Sequence, residues 1–360
     1  MRFLGGIHLA NKSRKITLAA TGDVLLHERL YRKAKIKDGS GYNFDELLKD
    51  AEPLFEKGDL KIVNQESIIA GEELGLSDFP HFNSPVEIGY KLKELGVDIA
   101  NLANNHVLDK GEKGILKSIE NWEKIGIPYV GAYKNKKDQE TLRIFHKNGL
   151  RVCFLSYTKR MAGVKIPKNK DYLVDSFEDA NVGKIKKRIQ QVKSNDLADV
   201  IVLSIHYGKE YHLLPTSDQI EISNTLSDAG ADIILGHHPH VLQPPAYILN
   251  SRGKETFCIY SLGNFFSGQK GIYRQIGAYM TIDIEKPTPD KNALLKIDNP
   301  TIKLTYVDSC DKRTYKLHLL EDVVKNQEFI KTHMGVFKSQ EVYDRIITHM
   351  RKWITDLNIS

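Results

Sequence analysis

The stretch GHHPHVLQP, Gly236 to Pro244, places three of the chain's 13 histidines within four residues. Imidazoles so spaced are metal ligands or members of a polar turn, and ligand-bearing residues elsewhere decide between the two. Those residues are Asp23 in TGDVLL, Asn64 and Glu66 in NQES, Asn104, Asn105 and His106 in ANNHVLDKG, and His206 in HYGKEY. Taken alone, each has an ordinary structural role, Asp23 as a turn or cap and Glu66 as a helix-start carboxylate. Together they supply Asp, Glu, Asn and several His but no thiolate. That set suits Zn, Mn or Fe better than the all-oxygen shells of Ca or Mg. The candidates outnumber the ligands of one tetrahedral ion. Two divalent ions sharing a carboxylate would use them, and such a pair can clamp the attacking and leaving oxygens of a phosphoryl transfer.

A series of strand ends must position these groups. KITLAATGD reads as a buried strand closed by Gly22 and Asp23. A helical stretch over about 44–55 leads into the strand LKIVNQE, and a helix over 85–95, with Pro85 suited to its first turn, leads into VDIANLANNH. Then come a helix over 113–125, strands around 142–145 and 151–157, a helix over 179–193, ADVIVLSIHYG, a helix over 216–229 and ADIILGHHPH. Alternation at this spacing predicts an α/β fold with a largely parallel central sheet, whose ligands gather at the carboxyl ends of the strands. Every candidate named above stands at such an end, so they are expected to share one site. From about residue 243 the segments AYIL, TFCIYSLG, AYMTIDI and TIKLTYVD are strand-like with no helix between them, which predicts a second sheet built late in the chain. Residues 1–320 are expected to form one domain, with 321–360 a helical extension docked through Trp353 and Ile354.

Composition excludes several classes. Hydrophobic residues at 41% and charged residues at 27% describe a globular chain. The net charge of +6 resides partly in solvated runs such as KIKKR and KNKK; it suits anionic partners and gives no sign of nucleic-acid binding. Cys153, Cys258 and Cys310 show no CxxC spacing. There is no GxSxG elbow, Walker A loop, GxGxxG or HExxH. No apolar run approaches the roughly 18 residues that span a bilayer, and the N-terminus MRFLGGIHLANKSRK lacks a small-residue cleavage site. The expectation is a soluble, cytoplasmic protein that meets membranes only through partners.

The ordered set TGDVLL, NQES, ANNHVLDKG, HYGKEY, GHHPHVLQP and YSLGNF resembles the CapA or PgsA family of poly-γ-glutamate capsule biosynthesis proteins, spanning about residues 17–266. The resemblance implies a calcineurin-like metallophosphoesterase fold, a layered β-sandwich flanked by helices. It assigns Asp23 to the first metal-ligand motif, Glu66 to the bridging carboxylate, Asn105 to the amide ligand, His206 to the isolated histidine, and His238 with His240 to the terminal pair. His106 becomes the acid that protonates a leaving oxygen, and His237 falls outside the ligand set as an exposed loop histidine. The implied setting is capsule or exopolymer production. There the chain would be a metal-dependent hydrolase acting on an anionic polymer or phosphorylated substrate, in contact with a capsule synthase complex.

Two positions depart from the pattern. Leu25 stands where the superfamily has a histidine, with His27 two residues further on, and Glu66 replaces the usual Asp, lengthening that arm by a methylene. Leu25 favours an alternative, a non-catalytic protein that uses the fold to hold polymer or bind the synthase. Asp109 is a candidate to orient His106 or to cap the following helix. Glu210, Tyr211 and Asn264 are candidates to line the cleft, and Lys159 and Arg160 to meet an anionic substrate.

Overall fold

A computed structural model describes residues 14–159, 161–178, 182–287, 294–309 and 314–360. Its strands are β1 (Arg14–Leu25), β2 (Leu60–Gln65), β3 (Ile99–Asn101), β4 (Tyr129–Val130), β5 (Arg143–Lys147), β6 (Leu150–Thr158), β7 (Val200–His206), β8 (Ile233–His237), β9 (Leu242–Leu249), β10 (Glu255–Leu262), β11 (Asn264–Ser267), β12 (Ile276–Lys286), β13 (Lys296–Val307), β14 (Leu317–Leu319), β15 (Phe329–Thr332), β16 (Gly335–Lys338) and β17 (Asn358–Ile359). One sheet runs β14-β13-β12-β1-β2-β3-β4, with β11 against β1 and β17 against β13; the other runs β5-β6-β7-β8-β10-β9.

The two sheets face each other. Alternate residues of β1, Ile16, Leu18 and Ala20, join Val152, Phe154, Val202, Leu235 and Ile259 of the opposite sheet in one apolar core, as the period-two alternation of a strand requires. Helices Glu87–Glu94 and Gly111–Ile125 cover the outer face of the first sheet through a cluster holding Trp122. Helices Gly183–Ser194 and Ser217–Ala229 cover the second. The Ser217–Ala229 helix is set by a capping box, in which Thr216 and Gln219 satisfy each other's backbone N–H. The result is the layered sandwich that the family resemblance implied.

Three expectations need correction. The late strands do not form a sheet of their own: β10 lies parallel to β8 and β12 antiparallel to β1, so they complete both sheets. Local pattern reveals a strand but not its neighbour. The helix expected over 44–55 is broken into Asp45–Leu48, a 3₁₀ turn Lys49–Ala51 and Glu52–Phe55, because Pro53 has no N–H to continue the ladder. The segment 321–360 is not wholly helical. Helices Leu320–Asn326 and Ser339–Met350 flank the β15–β16 hairpin, and β17 pairs with β13. Ile354 is buried and Val342, Ile346 and Met350 enter the intersheet core, while Trp353 stays 43% exposed, edge-on to Tyr260. Of the helix expected over 179–193, residues 179–181 lie outside the described residues.

Candidate metal centre

The carboxyl ends of β1, β2, β7 and β8 converge, and glycine makes their approach close. A Cβ at Gly22 would lie 2.2 Å from the Gly263 carbonyl oxygen, and one at Gly236 2.0 Å from that of Tyr260. Neither position accommodates a side chain. Beyond Gly236 the backbone of His238 (φ 96) and His240 (φ 56) is left-handed, a conformation that costs a non-glycine residue about 1–3 kcal/mol and collects at functional sites. The loop is tied down by Tyr207 N–H donating to His237 O (3.1 Å) and Tyr211 N–H to Pro239 O (2.8 Å).

Within this frame the ligand atoms of Asp23, Glu66 and His206 all lie within 4.8 Å of one another, as do those of Glu66, His238 and His240. Glu66 is common to both groups. His206 Nε2 also meets Asn105 Oδ1 at 2.9 Å and His238 Nδ1 at 3.2 Å. Two imidazole nitrogens and an amide oxygen at such range are reconciled by a shared cation. Both oxygens of Glu66 and His206 Nδ1 are buried without a hydrogen-bond partner, and Asp23 Oδ2 meets only His240 Nδ1, at 3.2 Å. A buried carboxylate left unpaired is costly, and a divalent cation supplies the missing charge. The donor set of carboxylates, imidazoles and one amide therefore fits a transition metal.

The electrostatics agree. Burial pushes Glu66 well above the usual carboxylate range, only partly offset by His240. Burial would raise Asp23 too, but hydrogen bonds from His237 and His240 outweigh it and hold Asp23 well below its usual value. Burial, reinforced by His238, keeps His206 well below the usual imidazole range, the neutral form that binds metal. Burial acts in the same sense on His240, yet Glu66 and Asp23 prevail and raise it to about 9.

Around these groups lies a hydrogen-bonded frame that sequence reasoning largely missed. Asp23 Oδ1 accepts from Asn64 Nδ2 (2.7 Å), Asn64 Oδ1 from Asn101 Nδ2 (2.9 Å), and Asn101 Nδ2 also donates to Ser204 Oγ (2.7 Å). That chain braces four strand ends. Asn264 does line the cleft: its Oδ1 stands 3.0 Å from His240 Nδ1, and its Nδ2 donates to Arg274 O (2.8 Å). Asp109 does not cap the following helix. Its Oδ2 accepts from His106 Nδ1 (2.7 Å) and from Phe82 N–H (2.5 Å), with the Phe82 ring edge-on to His106.

His237 is a correction. It is not an exposed loop residue but the buried last residue of β8, with Nδ1 3.0 Å from Asp23 Oδ1. Strand alternation turns it toward β1, where it meets the same oxygen of Asp23 that accepts from Asn64. Leu25 is buried in β1, and His27 is held away from the cluster: its Nδ1 lies between Leu25 O (3.2 Å) and Gly268 N (3.3 Å), and its ring lies edge-on against Phe82. Burial lowers it to about 4. Tyr211 lies beside His240, with ring centroids 6.3 Å apart, whereas Lys159 is engaged with Asp218 at 2.7 Å. Arg160 lies outside the described residues.

The fold is metallophosphoesterase-like. Over 95% of this chain and the whole of the other, the structure is similar to the calcineurin-like phosphoesterase YfkN from Bacillus subtilis, with a TM-score of 0.50 and 15% identity. The family of bacterial capsule synthesis proteins (PGA_cap) matches residues 17–269, and the chain belongs to it. Among relatives, the capsule biosynthesis protein CapA of Bacillus anthracis is 31% identical over 264 residues, 72% of this chain and 61% of that protein. The PGA biosynthesis protein CapA of Bacillus subtilis (strain 168) is 28% identical over 293 residues, 79% and 71% respectively. The chain thus spans less than two thirds of the B. anthracis relative. No helix among the described residues is long and apolar enough to cross a membrane.

Proposed function

We propose that the chain is a metal-dependent hydrolase of the phosphoesterase type, holding two divalent ions of Mn, Zn or Fe and serving capsule or poly-γ-glutamate production. The observation that carries this is Glu66: a fully buried carboxylate with both oxygens unpartnered, common to two ligand groups. Asp23 and His206 with Glu66 would hold one ion, with Asn105 beside His206, and Glu66 with His238 and His240 would hold the other. Bound there, the ions supply Lewis-acid polarisation of a phosphoryl oxygen and an activated water. The protein's own contribution to proton transfer is His106, whose Nδ1–H is taken by Asp109, leaving Nε2 to serve the leaving oxygen as general acid. The edge of Phe82 limits the motion of that ring and excludes water from one side of it. The substrate we infer is an anionic polymer or a phosphorylated compound, and the partner a capsule synthase complex.

Leu25 supports a second reading, a non-catalytic partner that holds polymer, since the histidine that the superfamily carries two residues after Asp23 is absent. Metal analysis of the wild type beside Asp23→Ala and His238→Ala, with a phosphodiester assay on His106→Ala, separates the two. Loss of metal in both ligand variants and a loss of turnover of about 10²–10⁴-fold in His106→Ala support the hydrolase. A wild type without metal and without His106-dependent turnover leaves the binding protein.

A further inference from the structure

Arg274 closes a 3₁₀ turn (Ile272–Arg274) between β11 and β12. Its guanidinium carbon stands 4.6 Å above the centre of the Tyr211 ring. Among the described residues no carboxylate lies within ion-pair distance of it, although the side chain is only partly exposed. A part-buried guanidinium normally finds an anion, because desolvation without a partner is unfavourable. Here the face and the hydroxyl of Tyr211 hold it instead, which orients the fork and leaves its other N–H donors without a carboxylate among the described residues.

Two independent connections fix Arg274 relative to the metal-ligand cluster. Tyr211 is anchored through its N–H to Pro239 O in the histidine loop, and its ring lies tilted at 34° beside that of His240. The Arg274 carbonyl accepts from Asn264 Nδ2, and Asn264 in turn meets His240 Nδ1. Gly271 makes room: a Cβ there would lie 2.9 Å from Arg274 Nη2. The Tyr211 ring, 45% exposed, forms the outer wall. A planar, part-exposed fork held one aromatic ring away from a proposed ligand histidine has the form of an oxyanion receptor, since it matches carboxylate and phosphate oxygens two at a time.

We propose that Arg274, steadied by Tyr211, binds the second, non-reacting anionic group of the substrate, an oxyanion of the carboxylate or phosphate type, while the bond to be cleaved lies at the metal cluster. The proposal rests on the hydrolase reading for the reacting end of the substrate but not for the anion site. The substrate class it names carries two anionic groups, one at each position, and compounds with a single anionic group are held at one end only.

The test compares wild type, Arg274→Gln, Arg274→Lys and Tyr211→Leu, with Tyr211→Phe as the conservative control. Metal content is measured for each and is expected to be unchanged, since neither residue is a proposed ligand. Metal-stripped protein is then titrated by NMR with glutarate and with inorganic phosphate, which distinguishes a carboxylate from a phosphate receptor. The expected result is that the wild type binds one of the two, Arg274→Gln binds it at least 10-fold more weakly, Arg274→Lys falls between them, and Tyr211→Phe retains binding that Tyr211→Leu loses. In metal-loaded protein that turns over a phosphodiester carrying a carboxylate, Arg274→Gln raises KM about 10-fold with kcat little changed. A wild type that binds neither probe, or an Arg274→Gln variant that binds as the wild type does, overturns the anion site. A wild type without turnover whose stripped form still shows the Arg274-dependent binding overturns only the hydrolase reading.

Discussion

His240 and Asn264 are locked in one relative orientation. The Asn264 amide has no choice of flip, because its Nδ2 must face the Arg274 carbonyl, an acceptor only, and its Oδ1 is thereby turned to His240 Nδ1. His240 must carry its proton on Nδ1, which leaves Nε2 toward Glu66 Oε1 at 3.6 Å as the ligand nitrogen. Asn264→Leu removes this instruction without touching a ligand. Its metal affinity is expected to fall about 10–100-fold, the usual cost of losing such support, whereas Asn264→Asp, which keeps the acceptor, retains more. Competition with a chromophoric chelator reads both, and equal affinity in Asn264→Leu and wild type would refute the tautomer argument.

Glu66 carries opposite signs in the two states of the protein. Without metal its buried carboxyl has no hydrogen-bond partner, and burial, only partly offset by His240, pushes it toward the protonated form. With metal it becomes the shared ligand. Glu66→Gln is therefore expected to melt no lower than wild type after chelation, yet to lose the stabilisation that metal gives, about 2.7 kcal/mol for wild type at 100 times the dissociation constant. Paired thermal melts with and without added Mn check this. A Glu66→Gln protein that gains as much as wild type on adding metal excludes Glu66 from the site.

The layers and the strand ends were legible in the sequence because both depend on local pattern. ADIIL before GHHPH and DVIVLSI before His206 can only be buried strands with polar termini, and the family motifs fall at those termini. What stayed hidden depends on pairing across the chain. Asn264 reaches His240 because β11 lies parallel to β1 with Asp23 opposite Asn264, and no spacing within YSLGNF encodes that register. Asn101 and Ser204 share a hydrogen bond across 103 residues. The misreading of His237 has a similar origin: in a run of three histidines, loop and strand end are told apart only by which residue last pairs with β7, and that residue is His237, opposite His206.

That placement of His237 leads to a graded expectation. Asp23 Oδ1 is taken by Asn64 and His237, which leaves Oδ2, 3.2 Å from His240 Nδ1, as the oxygen for a metal. His237→Ala leaves a buried acceptor with one donor fewer and allows the carboxylate to turn. We expect destabilisation of about 1–3 kcal/mol and metal affinity lowered about 10-fold with two sites still filled. His237→Asn, able to donate from the same side, recovers part of both. Loss of one whole equivalent of metal in His237→Ala would instead make His237 a ligand.

Asp175 offers a pH test away from the metal cluster. It lines a cleft of about 1050 Å³ beyond the end of β6, and its carboxylate accepts from Tyr133 Oη (2.9 Å) and Gln139 Nε2 (2.8 Å). Burial outweighs those bonds and raises it from 3.8 to about 6. A folded-state value above the unfolded one means that the native protein holds a proton the unfolded chain has already released between pH about 4 and 6, so stability falls as pH rises through that window. Above it the full cost applies, up to about 3 kcal/mol for a shift of this size and less to the extent that water reaches the side chain. Asp175→Asn removes the charge while keeping an acceptor for one of the two donors. It is expected to match wild type in chemical denaturation at pH 4 and to exceed it by about 1–3 kcal/mol at pH 8. A difference of the same size at both pH values would mean that packing, and not ionisation, governs this position.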